Sequence, residues 1–574
     1  MATLVTPASP PNRAEISWET TANNKSMSKD RSQEHFKELT AAFVAGRISR
    51  RHFIQQAARL GISAALLSRI LPHAYAAGDN LVDSAPEAPN ESPITKERIE
   101  FLKKKPYKGT TINVLVLKAT VGDGLKYWVP KWEEETGGKV NVAEVPIDTL
   151  HQQIFSDLQT THRYDTYMTG AWFYGDFFVP KEPYIVPLEP FLKDPKYPYW
   201  NPDDWIPAMR TLYTWEDKVY GVLFDGDCQI LYYRKDIFDK PENQQKFKDK
   251  MGYDFPNPPK TMKEMHDVAT FYTGWDWNGD GKEDWGISLH AKVNEQGFFH
   301  FLTLAASYVC SPNNKYFWFH PETMKPLINS EGHLRALEDY VKFLPCGPKE
   351  AISWTLGQGW NLFLSGQAVM EPTWGDLPTF AQDPKQSNLK GKIGAAIIPG
   401  TPEAYDPIKG QWDKFDLNNV GNVNGGTWHC VISRFSKKKE ATYDFLAFMA
   451  NKPNALYNCT HGFTGVQPGM KFEYFPPVGT GKVEEWVAQG WDAGDAERYL
   501  AAYYQNLSLP VQESYLRIPG AAEYWHELDT RVSGVLAGQI QPKAALDDTA
   551  QAWERITERY GRDKQKKLYQ ASFA

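Results

Sequence analysis

One stretch of the chain has the spacing of a calcium-binding loop. Asp276-Trp277-Asn278-Gly279-Asp280-Gly281-Lys282-Glu283-Asp284 places oxygen-bearing side chains at loop positions 1, 3, 5 and 9 and glycine at position 6. Position 12, where an EF-hand supplies a bidentate glutamate, is Ile287, so an EF-hand is excluded. Two interpretations stay open: a structural Ca²⁺ completed by a distant carboxylate, or an Asx turn closed by its own hydrogen bonds. The metal-ligating candidates are Asp276, Asn278, Asp280 and Asp284.

The sequence lacks the common catalytic motifs. It contains no GxSxG, HExxH, GxGxxG or CxxCH. Its five cysteines lie far apart, with no CxxC and no Cys/His pair at zinc spacing. Carboxylates are numerous, but none is singled out by its setting. We therefore expect a protein that is not an enzyme and requires no cofactor.

Aromatic residues are the most unusual part of the composition. The 574 residues include 20 Trp, 29 Tyr and 30 Phe. Aromatic rings stack on the C–H faces of sugars and polyols, whose hydroxyls pair with carboxylates. A net charge of −7 argues against a nucleic-acid partner. No uninterrupted apolar run reaches the ~18 residues that suggest a membrane-spanning helix.

The N-terminus has the three-part layout of an export signal. Ser49-Arg50-Arg51-His52-Phe53-Ile54 resembles the head of a twin-arginine (Tat) signal. An Ala-rich stretch follows from Leu60 to Leu71, and Ala74-Tyr75-Ala76 suits a signal peptidase. The alternative is an amphipathic surface helix that carries two arginines. We predict that residues 1–76 are an N-terminal extension and Tat signal peptide, with Met27 as an alternative start, and that the mature protein is periplasmic.

Strand and helix patterns alternate after this leader. Repeated strand–helix–strand units predict a largely parallel sheet with helices on both faces. Ligands of such sheets bind beyond the carboxyl ends of the strands, which here points to loops Lys118–Gly124 and Gly170–Asp176. The predicted elements are strands Ile112–Leu117, Val140–Val145 and Tyr164–Thr169 and helices Leu125–Thr136 and Thr149–Thr160.

Six motifs in order carry a family resemblance over about residues 110 to 560. The chain resembles the family 1 extracellular solute-binding proteins of ABC importers, the group that contains maltose-binding protein. The matching segments are Lys131–Val140, Tyr164–Met168 followed by Ile185–Leu188, Lys218–Leu223 with Leu231–Phe238, Pro258–Glu264, Ser365–Met370, and Gly425–Trp428 with Ala441–Leu446.

The resemblance implies an α/β fold of two lobes, a type II periplasmic binding protein with a hinge between the lobes and a helical C-terminal region. It implies that lobe I holds residues 105–225 plus 426–466. Lobe II would hold residues 227–424 plus 467–565. Helices around Tyr524–Leu528 and Ala544–Ile556 would pack against lobe II.

The same resemblance implies a set of ligand-binding residues. Asp227 falls where maltose-binding protein has a ligand-binding carboxylate, and Trp374 falls near one of its stacking tryptophans. For any single aromatic residue, a place in the core is about as plausible as ligand contact, and we expect Trp354 and Trp360 to be structural. The predicted set is Trp172, Tyr174, Asp225, Asp227, Trp374, Asp376 and Trp428.

The resemblance therefore implies a periplasmic substrate-binding component of an ABC transporter that captures a carbohydrate or polyol. Its partners would be an inner-membrane ABC permease and, during export, the Tat translocase. We expect a monomer. The competing hypothesis is a Tat-exported periplasmic enzyme, either an oxidoreductase or a glycoside hydrolase that uses a pair of carboxylates.

Overall fold

The computed structural model describes most of the chain that follows the predicted leader. The predicted signal peptide in residues 1–76 and the alternative start at Met27 lie outside the described residues. Within the described part, no helix combines the length and apolar character needed to cross a membrane. The described residues are 95–573, except Phe224, Gln296, Gly425, Gly426 and Ser514.

The β-strands of the described residues are short. They are β1 (Thr111–Leu117), β2 (Lys139–Val145), β3 (Thr166–Thr169), β4 (Thr214–Trp215), β5 (Lys218–Val219), β6 (Gly221–Leu223), β7 (Ile230–Arg234), β8 (Met370–Thr373), β9 (Ile393–Ala396), β10 (Thr401–Asp406), β11 (Gln411–Asn418) and β12 (His429–Ile432).

Helices separate most of these strands and make up the C-terminal region. They are α1 (Lys96–Lys103), α2 (Thr120–Thr136), α3 (Ile147–Ser156), α4 (Tyr174–Phe177), α5 (Glu189–Leu192), α6 (Pro207–Tyr213), α7 (Lys235–Phe238), α8 (Pro241–Met251), α9 (Met262–Tyr272), α10 (Phe298–Val309), α11 (Glu331–Phe343), α12 (Leu356–Leu364), α13 (Asp376–Ala381), α14 (Lys439–Ala450), α15 (Lys452–Thr460), α16 (Val483–Ala488), α17 (Ala493–Leu507), α18 (Ala521–Leu536), α19 (Pro542–Tyr560) and α20 (Arg562–Ala571).

A five-stranded sheet of order β2-β1-β3-β12-β6 forms the core of the first lobe. Strand β1 is parallel to β2 and β3, whereas β12 runs antiparallel to both β3 and β6. Residues 114–117 of β1 are buried, as expected for a central strand that is covered on both faces. The apolar run that predicted this strand is therefore a consequence of its central position.

The second lobe is built on a three-stranded sheet of order β8-β7-β9. Both neighbours of β7 are antiparallel to it, so the prediction of a largely parallel sheet is wrong for this lobe. That prediction rested on consecutive strand–helix–strand units in residues 112–169. Residues 235–369 separate β7 from β8, so the rule for short crossover connections does not apply there.

Two predicted helices have different limits in the structure. Helix α2 begins at Thr120 rather than Leu125. Helix α3 covers Ile147–Ser156 and continues into a π-helical turn that ends at Thr161. The buried Asp157 carboxylate fixes this turn, because it accepts hydrogen bonds from the backbone N–H of Arg163 at 2.8 Å and from the hydroxyl of Tyr167 at 2.7 Å.

Three chain passages lie side by side between the two sheets. The Gln229 backbone N–H donates to Asn422 Oδ1 at 2.9 Å, and Asn422 Nδ2 donates back to the Gln229 carbonyl at 2.8 Å. The third passage joins them through a bridge between Gly421 and Gln512. These paired segments form the hinge region, and residues next to them lie at the centre of the molecule.

The C-terminal helices cover one side of the second lobe. Helix α18 packs on α10, and α19 packs on α11. Trp553 Nε1 donates to the carbonyl of Tyr524 at 2.8 Å and joins α19 to α18. The start of α18 is thereby held at a fixed place beside the hinge.

Candidate ligand-binding site

Three cavities lie between the halves of the described chain, and two of them border a group of aromatic rings. The smaller of these two, of about 350 Å³, has walls from residues 147–173 and 522–529. The larger, of about 970 Å³, lies between residues 208–217 and 311–316 and is bounded by residues 510–517. Both volumes fall within the range of ~300–1,000 Å³ that is typical of ligand pockets. The cleft between the lobes is therefore the candidate site.

Four aromatic rings meet between the two cavities. The ring centroid of Trp172 lies 5.2 Å from that of Trp525 and 5.3 Å from that of Trp428. Tyr515 lies 5.3 Å from Trp525 and 6.3 Å from Trp172. Trp172 and Trp525 line the smaller cavity, and Tyr515 lines the larger one. These four residues are termed the aromatic cluster; Trp172, Trp525 and Tyr515 offer apolar ring surface to the two cavities, and Trp428 packs behind Trp172.

Trp374 extends the aromatic surface towards the second sheet. Phe299 links it to the aromatic cluster, with ring centroids 6.1 Å from Trp374 and 5.5 Å from Trp525. Trp374 Nε1 donates to the Asn424 carbonyl at 2.8 Å, which fixes the ring beside the second chain passage. Trp374 and Trp428 line neither cavity.

Three buried carboxyl groups, termed the carboxyl cluster, gather next to the hinge. They belong to Asp225, Asp227 and Asp376, none of which is more than 7% exposed. Burial, together with the nearby charge of Asp225, raises the pKa of Asp227 well above its ordinary value. Burial also raises the pKa of Asp376 to about 7. The cluster lines neither cavity.

Hydrogen-bonding capacity is left over in and beside the carboxyl cluster. Asp225 Oδ1 accepts from the backbone N–H of Gln467 at 2.8 Å. Asp225 Oδ2 and both polar atoms of the Gln467 side chain make no hydrogen bond of good geometry within the described residues, although Gln467 lies near enough to Asp376 to moderate its raised pKa. An unpaired buried polar group costs about 1–3 kcal/mol, and most such groups in folded proteins are paired. A polyhydroxylated ligand supplies the donors and acceptors that these groups lack.

Tyr174 lies away from the cleft surface. Its side chain is completely buried, and its hydroxyl donates to the Tyr213 carbonyl at 3.4 Å. The guanidinium of Arg517 lies 4.9 Å from the Tyr174 ring centroid and donates to the Thr214 carbonyl at 2.6 Å. Tyr174 thus supports the third chain passage against the first lobe and lines neither cavity.

The loop predicted at Lys118–Gly124 does not contribute to either cavity. Helix α2 already begins at Thr120, so most of the predicted loop is helical. The backbone of Thr464 covers Gly124 so closely that an added Cβ would lie 2.6 Å from the Thr464 carbonyl oxygen. The loop after β3 meets the cleft as predicted, through Trp172.

Sequence reasoning missed Trp525 and Tyr515. Trp525 was assigned to a helical tail that packs on the second lobe, and its ring does lie 5.6 Å from Phe298 of α10. The same ring also faces Trp172 of the first lobe. The adjacent Tyr524 points the other way, because its hydroxyl bonds Thr557 at 2.9 Å. The adjacent aromatic residues Tyr524 and Trp525 were the only hint in the sequence of a cleft residue here. Only the orientation of α18 shows which of the two rings faces the cleft.

The Asp276–Asp284 loop lies outside the cleft. Asp276 accepts from the backbone N–H groups of Gly279 at 2.6 Å and Gly281 at 2.9 Å. Asn278 Nδ2 donates to Asp284 Oδ1 at 2.8 Å. The hydrogen bonds of an Asx turn are therefore present, and calcium binding stays a prediction. Among the described residues, this loop included, no group of three or more His, Cys, Asp or Glu side chains is arranged to hold a metal ion.

The fold and the cleft define the class of protein. Two α/β lobes that are joined by several chain passages and enclose an aromatic-lined cleft form a hinged ligand-binding protein. Residues 128–473, more than half of the chain, match the bacterial extracellular solute-binding protein family. The chain belongs to this family.

Similar proteins confirm the predicted two-lobe fold. A binding protein of Brucella abortus (strain 2308) is 22% identical over 421 residues, which cover 73% of this chain and 85% of that protein. A solute-binding protein of an ABC transporter from Agrobacterium radiobacter K84, solved in complex with ribitol, has a TM-score of 0.60 and 20% identity over 78% of this chain and 99% of that chain. MalE3 of T. maritima, solved with bound maltose, has a TM-score of 0.57 and 17% identity over 78% and 100% of the two chains.

Proposed function

We propose that this protein is the substrate-binding component of an ABC transporter and captures a carbohydrate or polyol. Membership of the extracellular solute-binding family supports the transport role and a site of action outside the cytoplasm. The ligands named for two similar structures, ribitol and maltose, support the ligand class. The observation that carries the proposal is the cleft itself, in which Trp172 and Trp525 meet from opposite lobes, together with the three buried carboxyl groups next to the hinge.

The chemistry of the cleft suits a neutral polyhydroxylated ligand. Aromatic faces cover the C–H surfaces of such a ligand, while its hydroxyl groups donate to carboxylate oxygens. Asp225 Oδ2 and the side chain of Gln467 offer unpaired acceptors and a donor beside the hinge. In this proposal the ligand reaches the carboxyl cluster when the lobes open and becomes enclosed when they close.

Ligand binding then selects the closed arrangement and breaks no bond. Ligand binding favours lobe closure only to the extent that the ligand binds the closed state more tightly than the open state. Asp176 Oδ1 of the first lobe accepts from the backbone N–H of Gly520 at 3.1 Å, and Arg517 donates to the Thr214 carbonyl. These contacts join the start of α18 to the first lobe, and the closed surface would be recognised by the permease.

The proposed export route and the proposed partners rest on the sequence. We infer export through the Tat translocase to the periplasm, delivery of the ligand to an inner-membrane ABC permease, and a monomeric binding protein. The Arg50-Arg51 pair, the Ala-rich stretch after it and the Ala74-Tyr75-Ala76 site support this route.

The exported-enzyme alternative has weaker support. A glycoside hydrolase needs two carboxyl groups that flank the scissile bond at a separation of ~5–9.5 Å. No pair of carboxyl groups is singled out by its setting in the sequence as such an acid and base. No dinucleotide, haem or thiol motif supports an oxidoreductase. The proposed activity is therefore reversible capture of an unchanged ligand.

Calcium at the Asp276–Asp284 loop remains a structural proposal. Burial and the charges of Asp280 and Asp276 raise the pKa of Asp284 to about 6, and a bound cation would offset this repulsion. A calcium titration of EDTA-treated protein, followed by thermal denaturation, tests it. A rise in Tm that Asp280→Asn removes supports the site; an unchanged Tm leaves the loop as an Asx turn.

A ligand panel with chemical readout tests the proposed function. Sugars, polyols and oligosaccharides are screened by thermal shift, since a ligand at ~100 times its Kd stabilises the native state by about 2.7 kcal/mol. Mass spectrometry then examines each stabilising compound after incubation. The proposal expects stabilisation by at least one neutral polyhydroxylated compound that is recovered intact. Formation of a product, or stabilisation only by ions or peptides, would contradict it.

A further inference from the structure

The third chain passage forms one wall of the larger cavity. Residues 510–513, Tyr515 and Arg517 all line it. Tyr515 also belongs to the aromatic cluster, whose tryptophans line the smaller cavity. A ligand that stacks in the aromatic cluster therefore has the larger cavity directly beside it.

Glu513 ends a buried hydrogen-bond network with an unpaired acceptor. The residue is 4% exposed, and its Oε2 accepts from Asn424 Nδ2 at 2.7 Å. Asn424 Nδ2 also donates to Thr303 Oγ1 at 3.0 Å, and the Thr303 hydroxyl donates to Gln229 Oε1 at 2.6 Å. Glu513 Oε1 and Gln229 Nε2 have no partner among the described residues. Glu513 Oε1 at one end of the network thus lacks a donor, and Gln229 Nε2 at the other end lacks an acceptor.

Aromatic and polar residues both line the larger cavity. Trp215 and Tyr316 lie in its walls in addition to Tyr515. Such rings are suited to stacking against successive sugar units. The charged residues that line the cavity are of both signs, which favours a neutral ligand over an anion or a cation. They are Glu216, Asp217, Asp406, Lys315, Lys409 and Arg517. Burial raises the pKa of Glu513 to about 8, so this residue is mostly neutral at pH 7.

The larger cavity has more volume than a single polyol molecule fills. Its volume of about 970 Å³ lies at the upper end of the range of ~300–1,000 Å³ found for pockets that enclose drug-sized ligands. The smaller cavity, of about 350 Å³, already lies beside the paired tryptophans. A compound of six carbon atoms would leave most of the combined space to water.

We propose that the larger cavity is a second ligand subsite and that the cleft binds a neutral oligosaccharide of at least two sugar units. One unit stacks in the aromatic cluster, and the next lies beyond Tyr515, where its hydroxyl groups bond Glu513. This inference rests on the proposed function and specifies its ligand class.

Calorimetric titration with ligands of increasing length tests the subsite. The probes are ribitol, D-mannitol and glucose as single units, then maltose, cellobiose and xylobiose with their trisaccharides. The expected result is that a di- or trisaccharide binds at least tenfold more tightly than every single-unit probe. If ribitol, mannitol or glucose binds as tightly as the longer probes, the second subsite is wrong while the proposed function stands. Binding of none of these probes would contradict both.

Two variants test whether the tighter binding of the longer probes arises in the larger cavity. Thr211 is exposed at its edge, so Thr211→Trp should weaken binding of the longer probe at least tenfold and leave the single-unit affinity within twofold. Glu513→Gln keeps an acceptor for Asn424 but loses the unpaired carboxyl oxygen, and should weaken only the longer probe. Thr160→Trp, on an exposed residue outside both cavities, is the matched control. Equal effects of Thr211→Trp on short and long probes, or none on either, would overturn the proposal.

Discussion

Trp172 and Trp525 both line the smaller cavity and pack directly against each other, with ring centroids 5.2 Å apart. Trp172 follows β3 of the first sheet, whereas Trp525 lies on α18, which packs on the second lobe. Opening of the hinge must therefore separate the two rings. A ligand that contacts the outer edges of both rings gains both contacts only in the closed state, so we expect this pair to couple ligand binding to lobe closure.

Removal of either ring should weaken ligand binding without unfolding the protein. We expect Trp172→Ala and Trp525→Ala each to raise Kd at least tenfold, which corresponds to ~1.4 kcal/mol, because each loses a stacking face. Isothermal titration with the most stabilising compound of the panel measures this. Trp412→Ala removes a half-buried tryptophan outside both cavities and should leave Kd within twofold. Equal Kd values for all three variants would contradict a role for the aromatic cluster.

Asp376 should make the ligand-free protein less stable as the pH rises. Its pKa is about 7 in the folded protein and ~3.9 in an unfolded chain. Between these values the unfolded chain carries the charge and the folded protein does not, so stability falls as the pH rises from about 4 to 7. We expect Asp376→Asn to stabilise the protein by about 2–4 kcal/mol at pH 8 and much less at pH 5. Chemical denaturation at both pH values checks this, with the exposed Asp548→Asn as control.

Ligand binding should release protons near neutral pH. Hydroxyl groups that donate to Asp376 favour its ionised form, so binding lowers a pKa that burial has raised to about 7. Affinity should therefore fall as the pH drops from 7.5 to 5.5. Titration calorimetry in two buffers of different ionisation enthalpy measures the protons released. Uptake of protons, or a release that persists in Asp376→Asn, would argue against this carboxyl as a ligand contact.

The helix α1 should matter for stability but not for ligand binding. Arg98 forms a buried ion pair with Asp444, which also accepts from Trp132 Nε1 at 2.8 Å. Removing one partner of a buried ion pair typically costs 3–5 kcal/mol, so Arg98→Met should lower the free energy of unfolding by about that much. Lys103→Met, at an exposed ion pair, should change it by less than ~1 kcal/mol. A ligand Kd that shifts in Arg98→Met at a temperature where the variant is folded would contradict this separation.

Local patterns predicted the first lobe well, and the resemblance predicted the two-lobe fold. The apolar run of β1 and the loop that carries Trp172 followed from periodicity, because a central strand and the loop after it leave a local signal. No local sequence pattern predicts the antiparallel second sheet, because residues 235–369 separate β7 from β8. Its strand order depends on contacts that no short window contains.

The candidate site was only partly predictable for the same reason. Asp225 and Asp227 flank the first chain passage, so their central position could be inferred. Trp525, Tyr515 and Glu513 enter the cleft because α18 and the segment before it are held against the hinge, through the bridge of Gly421 to Gln512. Aromatic and acidic residue types alone do not distinguish a cleft position from a core position.

A crystal structure of the complex with the tightest ligand is the most direct test of ligand capture in this cleft. We expect closed lobes, a sugar or polyol carbon face against Trp172 or Trp525, and at least one ligand hydroxyl within hydrogen-bonding distance of Asp227 or Asp376. A ligand that lies outside the cleft, or within it without contact to either tryptophan, would show that the cleft does not bind its ligand in this way.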